Sequence, residues 1–292
     1  MSATARLSLN QATIKHADLE TALSVTREAG IESIGLWREP VAEVGLNTAC
    51  RMLADSGLRF SSLCRGGFFT VEKEPSRRDA LDEVRRAIDE TAALHAAGAE
   101  GSAPVLVIVA GGLPEGSRDL AGARARVSEA IAAVAPHARA SGVQLAIEAL
   151  HPMYVSDRAV VSTLGQALDL AEAFEPEVVG VVVDSFHVFW DPQLAQQIRR
   201  AGRGRRIASY QVCDWATPLP ADVLLSRHYP GDGVIDFAEM TREVEKAGYR
   251  GDIEVELFNA DIWATPFAEV AERTRESFAA AVSPYMLSTT AK

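Results

Sequence analysis

The stretch Gly180-Val181-Val182-Val183-Asp184-Ser185-Phe186-His187 sets a run of branched apolar residues directly against a carboxylate, with a histidine three positions on. Valine at 181, 182 and 183, with no polar alternation, predicts a strand buried on both faces, the pattern of a parallel sheet covered by helices. The charge falls where the strand stops, which is where α/β folds place their chemistry. Taken by itself, Asp184 has a plainer reading as the cap of a following turn, and His187 as a buried, hydrogen-bonded histidine. The rest of the chain decides between these readings.

Working outward, strand-like segments at 7–14, 31–38, 58–69, 105–112 and 143–152 precede this one, and segments at 207–215 and 253–258 follow it. Stretches with helical periodicity separate and follow them at 18–29, 41–56, 77–98, 118–141, 163–174, 192–201, 237–247 and 267–281. Eight strand-then-helix units without a break in composition predict one α/β domain, a single (β/α)8 TIM barrel over residues 1–282, with 283–292 as an aperiodic tail. A doubly wound open sheet is the rival, but no G-x-G-x-x-G follows any strand; Gly66-Gly67 and Gly111-Gly112 read as loop glycines.

Composition narrows the partners. At 48% hydrophobic and 24% charged residues the chain is of ordinary globular type. A net charge of −11 repels phosphate backbones and argues against nucleic acid. The densest basic run, Arg199 to Arg206, falls where a helix ends, and cations there suit the negative end of the helix dipole. No apolar run approaches the ~20 residues that span a bilayer, and the N-terminus lacks the apolar core of a secretory signal. The three cysteines, Cys50, Cys64 and Cys213, are widely spaced and suit reduced thiols in a cytoplasmic setting. Homo-oligomers are left open.

In a barrel, functional groups sit at the C-terminal ends of several strands. Reading those ends gives Glu148, Asp184, Gln211 and Glu256, separated by 36, 27 and 45 residues, each about one βα unit. Three carboxylates at one mouth repel one another unless a cation lies among them, so a divalent metal is the economical solution. Oxygen ligands suit Mn²⁺ or Mg²⁺ best, with Co²⁺ as a further candidate. Cys213 shares the side of Gln211 but reads first as a small buried residue. Glu254 shares the inward parity of Glu256 one layer deeper, as a supporting contact or half of an internal salt bridge. Trp37, Phe68, Phe69, Trp190, Trp215 and Trp263 fall near rim loops, some as pocket walls and others as packing.

Five segments together carry a family resemblance: Leu145-Ala-Ile-Glu148-Ala-Leu-His151-Pro152-Met153, Val182-Val-Asp184-Ser-Phe-His187-Val, Gln211-Val-Cys-Asp214-Trp215, Gly231-Asp-Gly-Val-Ile-Asp236 and Ile253-Glu-Val-Glu256. The chain resembles the sugar phosphate isomerase/epimerase family with the xylose isomerase-like barrel over nearly its whole length. That resemblance implies a metal held by Glu148, Asp184, Gln211 and Glu256. It also implies Glu148 and Glu256 as the paired proton-transfer groups, His187 and Arg227 as contacts to substrate oxygens, and small sugar or polyol substrates. One departure stands out: many members carry histidine where this chain has Gln211, and an amide oxygen holds transition metals more weakly than imidazole.

The leading expectation is a metal-dependent isomerase or epimerase of a ketose or related carbonyl sugar, working by proton transfer through a cis-enediolate. The same first step leads, with a β leaving group, to a dehydratase or lyase acting on a keto-sugar, a keto-inositol or an oxidised glycoside. A non-catalytic sugar-binding or subunit protein is the alternative of another class, and Gln211 is its support. A phosphodiesterase on this barrel would need a histidine-rich metal site and a basic face, which six histidines and the acidic balance do not provide. His151, followed by Pro152, is a further candidate substrate contact or a shaper of the exit loop.

Overall fold

The computed structural model describes residues 4–287. Eight parallel strands close into a barrel: β1 (Leu7–Asn10), β2 (Ser33–Trp37), β3 (Arg59–Gly67), β4 (Val105–Val109), β5 (Gln144–Glu148), β6 (Val179–Asp184), β7 (Ile207–Val212) and β8 (Ile253–Val255). Neighbours in sequence are neighbours in space, and β1 pairs with β8 to close the ring. The fold expected from the sequence is the one observed.

The strands show why the valine run is informative. Val181 and Val183 belong to the large core between barrel and helices, while Val182 joins Cys64, Val105, Val107 and Ala146 in a small cluster inside the barrel. Side chains alternate between faces with a period of two. The inward series therefore runs Ala146 then Glu148 on β5, and Val182 then Asp184 on β6. Small apolar groups lie beneath Glu148 and Asp184, whereas the buried carboxyl group of Glu254 and the Asn10 amide lie beneath Glu256.

Several element ends differ from expectation for local reasons. Strand 7–14 stops at Asn10, whose side-chain oxygen accepts the Ala12 N–H and starts the 3-10 turn Gln11–Ile14. Thr13 then laces the closure, donating to the Val255 carbonyl (2.9 Å) and accepting from the Leu257 N–H (3.0 Å). The helix expected over 41–56 is two, Arg38–Val44 and Leu46–Ser56, broken at Gly45 where φ is +80°. The segment between β7 and β8 adds a two-stranded antiparallel ribbon, Asp214–Trp215 against Arg227–His228. Of the expected tail, Ser283–Tyr285 forms a 3-10 turn, and residues 288–292 lie outside the described residues. Among the described residues no helix is long and apolar enough to cross a membrane.

Candidate active site

The barrel mouth opens into a cavity of about 440 Å3 whose wall includes Glu148, Glu256, His187 and Arg227. Glu148 ends β5, and Glu256 follows β8, its N–H still donating to the Val212 carbonyl (3.3 Å). Asp184 and Gln211 are buried side by side, in register across β6 and β7. Gln211 is also in register with Glu254 on β8, so Glu256 stands one layer nearer the mouth.

Asp184 serves both of its readings at once. Its Oδ1 accepts the His187 N–H (3.2 Å) and caps the short helix Ser185–Val188, while its Oδ2 is buried with no hydrogen-bond partner. Burial pushes its pKa up to about 6. Burial first, then the charges of Asp184 and Glu256, raise Glu148 well above the ordinary carboxylate range.

The cation paired with these carboxylates is Arg227, delivered by the ribbon rather than by a barrel strand. Its Nη1 lies 2.6 Å from Glu256 Oε2 and 3.7 Å from Asp184 Oδ2, with all three side chains buried. The loop behind it is anchored by Asp214: Oδ1 accepts the N–H groups of Trp215 and Ile235, and Oδ2 those of Gly231 and Gly233. Gly233 has to be glycine, since a Cβ there would meet the Trp215 carbonyl oxygen at 2.4 Å. The Asp214-Trp215 and Gly231-Asp-Gly segments thus form a brace for the arginine.

His187 meets an N–H at each ring nitrogen: the backbone N–H of His151 lies 3.2 Å from Nδ1, and Arg227 Nη2 lies 3.1 Å from Nε2. A guanidinium only donates and a neutral imidazole accepts at one nitrogen, so the tautomer decides which of the two contacts is the hydrogen bond. Burial, followed by the charge of Arg227, lowers the pKa of His187 well below the usual value and keeps it neutral. The His151 ring is engaged elsewhere. It accepts the Met153 N–H through Nδ1 and packs on Trp190 and Trp215, and it is absent from the cavity wall.

Donor atoms of Glu148, Asp184 and His187 lie within 4.8 Å of one another. The unpartnered Asp184 Oδ2 beside the Glu148 carboxyl group fits a divalent cation. Glu256 stands outside that cluster, its Oε2 taken by Arg227, and the unpartnered atom of Gln211 is its amide nitrogen, a donor rather than a ligand.

Other expected residues fall outside this set. Among the described residues Glu254 makes no salt bridge; the Asn10 amide donates to its Oε2 (2.9 Å), and burial pushes its pKa up to about 7. Cys213 is a buried core residue. Trp37 and Phe68 line the cavity, whereas Trp190, Trp215 and Trp263 do not. Sequence reasoning missed Cys64, Arg65, Tyr154 and Arg158, which also line it. Only the rim position of Cys64-Arg65 at the end of the third strand pointed to any of them.

Fold and site define an α/β barrel with an acidic, arginine-braced mouth. The chain belongs to the xylose isomerase-like TIM barrel family, whose model matches residues 23–280. A protein of Sinorhizobium meliloti 1021 is 47% identical, with a TM-score of 0.89 over 95% of this chain and 98% of that one. The inosose isomerase of Bacillus velezensis is 29% identical over 149 residues, 50% of this chain and 51% of that protein. The 3-dehydroshikimate dehydratase of Pseudomonas aeruginosa is 32% identical over 155 residues, 51% of this chain but 23% of that protein. The chain thus spans about half the length of the isomerase and under a quarter of the dehydratase.

Proposed function

We propose that the protein is a metal-dependent isomerase or epimerase of a small polyhydroxylated carbonyl compound, working by proton transfer next to the carbonyl. The observation that carries this reading is the placement of two carboxyl groups, Glu148 and Glu256, on one cavity with His187 and Arg227. One carboxylate takes the proton from the carbon α to the carbonyl, and the electron pair moves onto the carbonyl oxygen. The second carboxyl group returns a proton to the neighbouring or the same carbon. The Arg227 guanidinium, with His187 beside it, holds the oxygen on which negative charge grows. A divalent cation held by Glu148, Asp184, Gln211 and Glu256, of the Mn²⁺ or Mg²⁺ type, would supply Lewis-acid polarisation of the carbonyl. The similarity to an inosose isomerase supports this class.

Dehydration is the second reading, and the Arg227–Glu256 pair favours it. A carboxylate clamped by a guanidinium at 2.6 Å is a weakened base, which leaves Glu148 as the mobile proton carrier. One such group suffices to remove the α proton and return it to a departing β hydroxyl. The similarity to a 3-dehydroshikimate dehydratase points the same way.

The test is incubation of the full chain with keto-polyols in deuterated water, with Mn²⁺, Mg²⁺ or Co²⁺ added, read by mass. An isomer of equal mass apart from deuterium uptake marks the first reading, and loss of water marks the second. Glu148→Gln is expected to abolish both. Exchange that survives in Glu148→Gln and in Glu256→Gln would overturn the mechanism.

A further inference from the structure

Arg65 is the guanidinium at this mouth that the protein leaves without an anion. Arg6, Arg38, Arg59, Arg200 and Arg227 each have a carboxylate within 3.0 Å, as a chain with 40 acidic and 29 basic residues readily allows. Arg65 lines the cavity and makes no ion pair among the described residues, although Glu39 and Glu43 face the same mouth. Its guanidinium instead lies 5.4 Å from the Trp37 ring centroid and 5.1 Å from that of Phe68.

The backbone is shaped to put it there. Cys64 and Gly66 pair with the consecutive residues Val107 and Ile108, so Arg65 is the extra residue of a bulge in β3. Bulges re-aim a side chain out of the regular alternation. Gly67 follows at φ +122°, where a Cβ would meet the Val109 carbonyl oxygen at 1.9 Å. Phe68 then takes φ +57°, a conformation costly for an aromatic residue, and keeps its ring 38% exposed beside the guanidinium. A bulge, a strained aromatic and a tryptophan together present a flat, preoriented fork of donors to the cavity. Arg158 lines the same cavity; its Nε has no hydrogen-bond partner and only the Asp157 carboxylate at 3.7 Å.

We infer that the substrate carries an oxyanionic group, a carboxylate or a phosphate ester, received by Arg65 with Arg158 beside it, at the same time as its carbonyl faces Glu148 and His187. A guanidinium fork matches either group in bidentate fashion, and stacking on two rings holds it flat without neutralising it. This deepens the proposed reaction and rests on it for the location of the carbonyl, but the anion subsite is tested by binding alone.

The experiment is calorimetric titration of the full chain with gluconate, fructose 6-phosphate and neutral sorbitol, for wild type, Arg65→Gln and Arg65→Lys. The expected result is that one anionic probe binds roughly tenfold or more tighter than sorbitol, that salt weakens it, and that Arg65→Gln removes the difference. Whichever anion is preferred identifies carboxylate or phosphate. Arg65→Lys, which keeps the charge without the fork, is expected to retain part of the preference and guards against misfolding of the glutamine variant. Equal binding of charged and neutral probes, binding of none, or a preference that survives Arg65→Gln would each overturn the inference. Loss of the mechanism in the deuterium experiment leaves this preference standing, so the two failures are distinguishable.

Discussion

Arg227 Nη1 and Glu256 Oε2 meet at 2.6 Å in a place where both side chains are almost wholly shielded from water. The pair joins a residue of the ribbon to the residue that follows the closing strand, 29 positions on, and links the loop to the barrel. Removing one partner of a buried pair strands the other charge. Arg227→Met is therefore expected to lower stability by about 3–5 kcal/mol in urea unfolding. Restoring neutrality with Glu256→Gln in the same chain should recover a large part of that loss. Simple additivity of the two substitutions would show that the pair is not coupled.

Gln211 is the one amide among the four proposed ligands, buried in register with Asp184. Gln211→His should raise the affinity for Co²⁺ or Zn²⁺ on the order of tenfold while changing Mg²⁺ affinity little, because imidazole favours the later metals. Equilibrium dialysis with each ion checks this directly. Equal gains for Mg²⁺ and Zn²⁺ would place residue 211 outside the metal's ligands.

Asp214 accepts four backbone N–H groups with two oxygens. Asparagine offers one acceptor oxygen and sets an NH₂ against donors. Asp214→Asn should cost about 1–3 kcal/mol for each stranded donor and speed proteolysis within 216–236. Turnover should fall with it, since Arg227 loses its brace. Unfolding, limited proteolysis and deuterium exchange on one preparation would report all three.

Gly35 leaves room for the Glu254 carboxylate, and a Cβ at 35 would lie 2.5 Å from Glu254 Oε2. Gly35→Ala is expected to destabilise by about 1–3 kcal/mol. In a Glu254→Ala background only the Asn10 amide nitrogen, at 3.3 Å, is left close to the added methyl, and the same substitution should cost far less. Thermal unfolding of the four proteins closes the cycle.

The strands and their order were legible because each carries an apolar run that stops at a polar residue and is followed by helical periodicity. Val181 to Asp184 shows this most plainly: the burial of both faces, the cap and the unpartnered oxygen all follow from where the valines end. The same rule proposes Glu148, Asp184, Gln211 and Glu256, all four of them buried at the strand ends. What was not legible depends on contacts between distant segments. Nothing in the sequence says that Arg227 closes on Glu256, that the N–H of His151 rather than its ring is what matters to His187, or that a bulge turns Arg65 into the cavity. The break at Gly45 was in plain view, but its helical neighbours on both sides outweighed it.

The ribbon that carries Arg227 belongs to no strand of the barrel. Its two short strands pair only with each other, and Asp214 ties the following loop to its base. The barrel ladder and the cation that tempers its acidic mouth therefore come from different segments of the chain. They meet at Arg227, whose side chain holds Glu256 and whose backbone is bonded to Phe258 and Asn259. A change in this segment reshapes the mouth without altering strand order, at a stability cost set by that one junction.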